Sequence, residues 1–303
     1  MKKIKSIVTG GAGFIGSHLA DALIREGHEV HIIDNLSNGN IENVNSKAFF
    51  HLADITVLKQ LLPVFEKVDY VFHLAALPRV QYSIAHPGNS HIANVNGTLN
   101  VLLAAKHCGV KRVIFASSSS VYGDQNTSWL REDMVPNPQS PYGLQKYMGE
   151  LLCKQWSMVY GLGTVSLRYF NVYGPRNPGE GDYALVIPKF LNQHHAGKPL
   201  TVTGDGRQTR DFTQIDDVVN ANILACFSNQ VGNGEVLNIG GGEVWTINKV
   251  AELIGGRIKY IAPRREPRDT LADNSLAEVL LGWTPHVFLE EGIKSLKSIW
   301  RTT

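Results

Sequence analysis

Three glycines set between an apolar run and an amphipathic one constrain this chain more than any other feature. In Ser6-Ile7-Val8-Thr9-Gly10-Gly11-Ala12-Gly13-Phe14-Ile15-Gly16 the spacing satisfies G-x-x-G-x-x-G at 10, 13 and 16 and G-x-G-x-x-G at 11, 13 and 16. Lys5 to Val8 reads as a strand and Phe14 to Glu26 as a helix, so the glycines occupy a βα turn. Glycine permits the tight turn and close approach of backbone to a pyrophosphate. The free N–H groups and dipole at the helix start attract negative charge. Asp34 ends the next apolar run, 18 residues past Gly16, where a carboxylate can accept both hydroxyls of a ribose. It would repel a 2′-phosphate, and no Lys or Arg follows before Lys47, so NAD is favoured over NADP. No Lys-Ser or Lys-Thr follows the glycines, which argues against an ATP-binding P-loop. An ordinary βα turn with a turn-forming Asp is the bland alternative, and the order strand, turn, helix, acid weighs against it.

Further along, short runs rich in Val, Ile and Phe alternate with stretches of helical period, as βαβ units on a parallel sheet require. Strands are expected at Lys5 to Val8, Glu29 to Asp34, Lys47 to Leu52, Asp69 to Leu74, Arg112 to Ala116 and Thr164 to Arg168. Helices are expected at Phe14 to Glu26, Val57 to Phe65, His91 to His107 and Tyr142 to Tyr160. After about Asn171 the rhythm loosens and Pro and Gly cluster in 173–181, so a domain boundary is placed there: residues 1–170 for the cofactor, 171–303 mainly for substrate. Ile215 to Phe227 reads as a helix and Glu235 to Ile239 as a strand that returns to the first sheet, which would make the second domain discontinuous.

With 303 residues, 43% hydrophobic and 18% charged, the chain has the composition of a folded globular protein. A net charge of +2 is too small to imply a nucleic-acid or membrane partner for the whole molecule, so any anion site is local. Cys108, Cys153 and Cys226 are widely spaced and lack a C-x-x-C, which suggests neither a disulfide framework nor a thiolate metal site but a reduced, cytoplasmic compartment. No histidine cluster has metal-ligand spacing. The basic start, MKKIK, runs straight into Thr9-Gly10-Gly11, unlike a secretory signal, and no run is long enough for a membrane span.

Tyr142 and Lys146 are spaced i, i+4 on an expected helix and so share one face. Ser117 to Ser120 follow a strand at its carboxyl end, where ligands bind in open α/β sheets. A phenol is a poor base near neutrality, but a nearby ammonium and the positive nicotinamide of NAD favour the phenolate. A serine hydroxyl can hold a sugar hydroxyl and help pass its proton to Tyr142. A solvated Tyr and Lys beside a serine-rich loop is the alternative.

The sequence resembles the extended short-chain dehydrogenases/reductases, above all their NAD-dependent nucleotide-sugar 4-epimerases, over nearly its whole length. The resemblance is carried by TGGAGFIGSHL at 9–19, DNLSNG at 34–39, HLAA at 73–76, NVNGT at 94–98, SSSSVYG at 117–123, SPYGLQK at 140–146, LRYFNVYGPR at 167–176, TRDF at 209–212 and NIGGG at 238–242. It implies a Rossmann-type doubly wound parallel sheet with a smaller α/β substrate-binding domain, NAD as cofactor, a UDP-sugar as substrate and a homodimer joined through the helices around 91–107 and 142–160. Packing of those helices on their own sheet would explain much of the same pattern.

By that resemblance Gly10, Gly13, Phe14, Ile15 and Gly16 would hold the NAD pyrophosphate region, and Asp34, Asn35, Ser37, Asn38 and Gly39 the adenosine side. Asp54 and Ile55 would flank the adenine. Leu74, Ala75, Ala76 and Asn94 would line the cofactor path, and Phe170 and Asn171 would sit where nicotinamide meets sugar. Tyr142, Lys146 and Ser118 would be catalytic, Lys146 also holding the nicotinamide ribose and Ser120 supplying a second hydroxyl. Arg210, Arg264, Arg265 and Arg268 are the candidates for the substrate pyrophosphate; from Arg257 to Arg268 there are five bases and one acid. Thr270, small where related enzymes carry a bulky aromatic, would admit N-acetyl sugars. The family's 4,6-dehydratases use an Asp-Glu pair where this chain has Ser119 and Ser120, which leaves epimerisation at C4. Two other readings stay open: a UDP-glucuronate 4-epimerase, with Arg79 and Arg176 available for the carboxylate, and a non-catalytic NAD-binding sensor.

Overall fold

Seven of the apolar runs pair into one parallel sheet in the computed structural model, which describes residues 3–178, 185–263 and 268–302. Across the sheet the order is Asn233–Ile239, Gly163–Tyr169, Arg112–Ser118, Tyr70–His73, Lys5–Thr9, Glu29–Asp34 and Phe49–Leu52. The chain therefore winds outward from Lys5–Thr9 in both directions, and the switch between Lys5–Thr9 and Tyr70–His73 opens a crevice at the strands' carboxyl ends.

Helices cover both faces, as the near-continuous apolar character of the strands demands. Leu19 and Leu23 of Phe14–Arg25 pack with Val218 and Ala225 of Ile215–Phe227 on one face. Leu61, Phe65, Val101, Leu102 and Trp156 cover the other. The Pro141–Tyr160 helix has a Ser140 cap accepting from Gly143 N at 3.1 Å, a proline in its first turn and Gly161 at φ 66° to end it.

The expected strand near 235–239 extends over Asn233–Ile239 and pairs in parallel with Gly163–Tyr169. One guanidinium fastens this returning segment: Arg112 Nη1 donates to the carbonyls of Ala225, Cys226 and Ser228, and Nη2 to that of Val231, at 2.6–3.0 Å. A separate core of Tyr173, Phe190, Leu200, Val250 and Leu296 surrounds a small parallel pair, Leu200–Thr203 with Ile258–Ile261.

The expected single helix from His91 to His107 is interrupted. A short helix, Pro87–His91, leads into a π-turn at Ile92–Asn96 and then the helix Gly97–His107. The wider turn lets Asn94 point inward, where its amide accepts from Leu77 N at 2.7 Å and donates to Leu77 O and Gln145 Oε1.

Candidate active site

Above the crevice lies one continuous cleft of about 2100 Å³, larger than a pocket for one drug-sized ligand. The glycine turn forms one end of it. Gly10 sits at φ +72°, and a Cβ there would lie 2.7 Å from Ala75 N. A Cβ on Gly16 would run into the Gly10 carbonyl oxygen, so only glycine lets the first helix start this close to the turn. Asp34 is held from two sides, Oδ2 accepting from Ala12 N at 3.0 Å and Oδ1 from Leu36 N at 2.8 Å. A Cβ on Gly39 would lie 2.9 Å from the same carboxylate. Asn35 donates to Asp54 Oδ2 at 2.9 Å. Burial pushes the Asp54 carboxyl up, but hydrogen bonds from Thr56 N, Thr56 Oγ1 and Asn35 outweigh it and hold the group below its usual range. Ile15, Ser37, Asn38, Ile55, Leu74 and Ala76 complete this wall. Glycines that a Cβ would block, N–H groups at a helix start and a preoriented carboxylate together fit the pyrophosphate and ribose of NAD.

At mid-cleft the helix Pro141–Tyr160 crosses the end of Arg112–Ser118. Tyr142 is 8% exposed and its backbone N–H donates to Ser83 Oγ at 3.0 Å. Burial raises the Tyr142 phenol, while a hydrogen bond with Ser118 and the charge of Arg79 pull it back. Lys146 Nζ donates to the Ala116 carbonyl at 2.7 Å and stands 5.9 Å from the centre of the Tyr142 ring. Burial lowers its pKa to about 8, against the raising influence of Cys153 and Glu150. Two cations therefore stand near the phenol: Arg79, whose charge pulls the Tyr142 pKa down, and the Lys146 ammonium near the ring. Ser118 and Ser120 are linked, Oγ to Oγ, at 3.2 Å.

The far wall holds Asn171, Arg210, Thr270 and Tyr173. Arg210 Nη1 donates to the carbonyls of Thr209 and Arg268 at 2.8 and 2.9 Å. Asp211 ties three backbone segments behind it, accepting from Gly241 N, Gly242 N and Ala272 N.

Three expected site residues stand elsewhere. Asn94 does not border the cleft, because its amide is spent on Leu77 and Gln145. Phe170 is fully buried against Tyr122 and does not line the cleft, whereas its neighbours Tyr169 and Asn171 do. The Arg268 side chain is 77% exposed and lies outside the cleft, 3.8 Å from Asp269. Arg264 and Arg265 fall outside the described residues.

A family model described as the NAD dependent epimerase/dehydratase family matches residues 6–240. The chain belongs to that family. Three solved structures extend the likeness over the whole chain. UDP-glucose 4-epimerase of Thermotoga maritima, with UDP-glucose, is 38% identical with TM-score 0.94 over 99% of both chains. UDP-N-acetylglucosamine 4-epimerase of Methanobrevibacter ruminantium M1, with UDP-N-acetylmuramic acid, is 38% identical with TM-score 0.92 over 99% of this chain and 100% of its own. UDP-glucuronic acid 4-epimerase of Bacillus cereus, with UDP-glucuronic acid and NAD, is 36% identical with TM-score 0.88 over 99% of both. This member of the family has, among its described residues, no group of three or more His, Cys, Asp or Glu placed to hold a metal ion. No helix among them is long and apolar enough to cross a membrane.

Two contributors to the site were not assigned to it from sequence. Arg79 was considered only as a uronate ligand, yet it borders the cleft and acts on Tyr142. Ser83, about one helical turn past Arg79, holds the first turn of the helix Pro141–Tyr160. Both lie just past the HLAA segment, whose position at a strand's carboxyl end was the available signal.

Proposed function

We propose that this NAD-dependent enzyme inverts C4 of UDP-hexoses, interconverting UDP-glucose with UDP-galactose and UDP-GlcNAc with UDP-GalNAc. The observation that carries the reading is the convergence of Tyr142, Ser118 and Lys146 at mid-cleft, between the Asp34 wall and the wall of Arg210 and Thr270. NAD, held along the glycine turn and Asp34, would supply a reversible hydride acceptor for C4 and would not be consumed over the cycle. Tyr142 takes the proton of the 4-hydroxyl and later gives one back, with Ser118 holding that oxygen in line. Arg79 and a charged Lys146 favour the phenolate during the first transfer. The sugar turns over between the two transfers, while Arg210 anchors the diphosphate by its guanidinium fork.

A neutral hexose is favoured over a uronate because Arg176 is already paired with Asp21 at 2.9 Å, leaving Arg79, whose charge acts on Tyr142. Thr270, 9% exposed, leaves room at the cleft wall that a bulky aromatic would fill. A binding-only sensor would have no use for the Tyr142, Ser118 and Lys146 arrangement. We also propose that two copies pair through Leu103, Leu144, Leu151, Met158 and Val159, apolar side chains 37–70% exposed on the two long helices; light scattering at the monomer mass would refute this.

The deciding experiment is an NMR assay of C4 inversion without added reductant on the four UDP-hexoses and UDP-glucuronate. Inversion of the four hexoses is expected, and Tyr142→Phe is expected to abolish it while retaining NAD. Undiminished turnover by that variant overturns the mechanism; turnover of UDP-glucuronate alone overturns the substrate.

A further inference from the structure

Directly beneath the catalytic helix lies a buried ion pair that never reaches the cleft. Arg168 Nε and Nη2 each donate to Glu150 at 2.8 Å, and both side chains are 3% exposed. Glu150 stands one helical turn after Lys146, and its Oε1 also accepts from Ser117 Oγ. Ser117 and Arg168 are register partners on neighbouring strands. A single carboxylate thus ties the helix to two adjacent strands, one residue before Ser118. A second tie, Lys146 Nζ to Ala116 O at 2.7 Å, lies one residue further back. The guanidinium stacks over the Tyr122 ring at 4.5 Å, and Tyr122 donates to Asn238 Oδ1 at 2.7 Å. A Cβ on Gly149 would run into the Phe115 ring, so the helix is seated as closely as the strand allows. A buried ion pair contributes little stability compared with apolar packing of the same volume, so what distinguishes this one is its geometry and its charge.

We propose that Glu150, Arg168 and Ser117 form a positioning element that fixes the rotation of the Pro141–Tyr160 helix and keeps Lys146 charged beside Tyr142 and Ser118. The inference rests on the epimerase reading given above. The groups facing Lys146 are Glu150, Cys153 and Tyr142 of its own helix and His73 of the strand Tyr70–His73. His73 is buried between the hydroxyls of Thr9 and Thr98 and held neutral, burial taking it to about 3. Cys153 is a thiol that burial pushes up to about 12. Glu150 is the one carboxylate among these groups, paired through two hydrogen bonds with Arg168.

The test uses two variants of the full chain. Ser117→Ala removes one small tie and is expected to lower kcat about ten-fold or more, with KM and melting temperature nearly unchanged. Glu150→Gln/Arg168→Gln removes both charges together, so no lone buried ion is left to unfold the protein. In this variant the pH at which NAD affinity and kcat fall on the alkaline side is expected to move down by about one pH unit. Profiles of the folded double variant that superimpose on the wild type, with Ser117→Ala also at wild-type kcat, overturn the proposal. Wild-type protein inactive on every UDP-sugar would instead overturn the epimerase reading, and the NAD-affinity profile would still decide the positioning role.

Discussion

Replacing Lys146 with methionine should stabilise the NAD-free chain near neutral pH while removing its activity. Lys146 is fully buried, and burial brings its pKa from 10.5 to about 8. That difference corresponds to about 3 kcal/mol by which the folded state disfavours the ammonium. Against this stands the hydrogen bond to Ala116 O, whose loss costs about 1–2 kcal/mol. A net gain of about 1–2 kcal/mol, a few degrees in melting temperature, is expected at pH 7. The sign of the pH dependence follows from proton counting. Between pH about 8 and 10.5 the unfolded chain keeps a proton that the folded chain has lost, so wild-type stability rises with pH across that window relative to the variant. Calorimetry of both proteins at a series of pH values should show the variant's advantage vanish and then reverse, a relative change of about 3 kcal/mol in all. A gap that stays constant, or widens with pH, would refute the claim that a charged lysine is being held against its solvation.

Asp34→Asn should weaken NAD binding roughly 10–100-fold, because the amide replaces one oxygen that accepts a backbone N–H; fluorescence titration measures it, and unchanged affinity would remove Asp34 from the ribose site. Gly10→Ala combines a left-handed φ with a Cβ 2.7 Å from Ala75 N and should cost about 2–4 kcal/mol of stability together with NAD affinity, as read by denaturant melts and the same titration. Thr270→Tyr should lower kcat/KM for UDP-GalNAc at least ten-fold while leaving UDP-galactose within about three-fold; equal losses would show that Thr270 does not gate the acetyl group.

The elements around the cofactor end were legible in the sequence because each is specified locally. Apolar strands of five to seven residues, a glycine triplet at a strand end and an acid closing the next strand need no tertiary information. The small pair Leu200–Thr203 and Ile258–Ile261 was not, since four residues carry too little periodicity and the two strands lie far apart in the chain. The inward turn of Asn94 was not legible, because the π-turn that rotates it depends on Leu77 and Gln145, distant partners that a helical pattern does not reveal. Phe170 follows the strand's last residue and packs its ring against Tyr122, a distant partner that the local pattern does not name. That Tyr142 and Lys146 share a face was legible from i, i+4 spacing, which does not fix where a long side chain ends. Here the ammonium is drawn back to Ala116 O.

The strand Asn233–Ile239 leaves the cofactor half dependent on chain that comes long after it. A protein ended near residue 170 would present Gly163–Tyr169 as a bare parallel edge and leave Arg112 without the four carbonyls it collects. The edge strand of the sheet is also its last to be synthesised, so this edge stays unpaired until the chain past residue 233 has emerged. The first 170 residues are in this sense not a unit that could be borrowed whole, since their sheet is completed by chain that comes later.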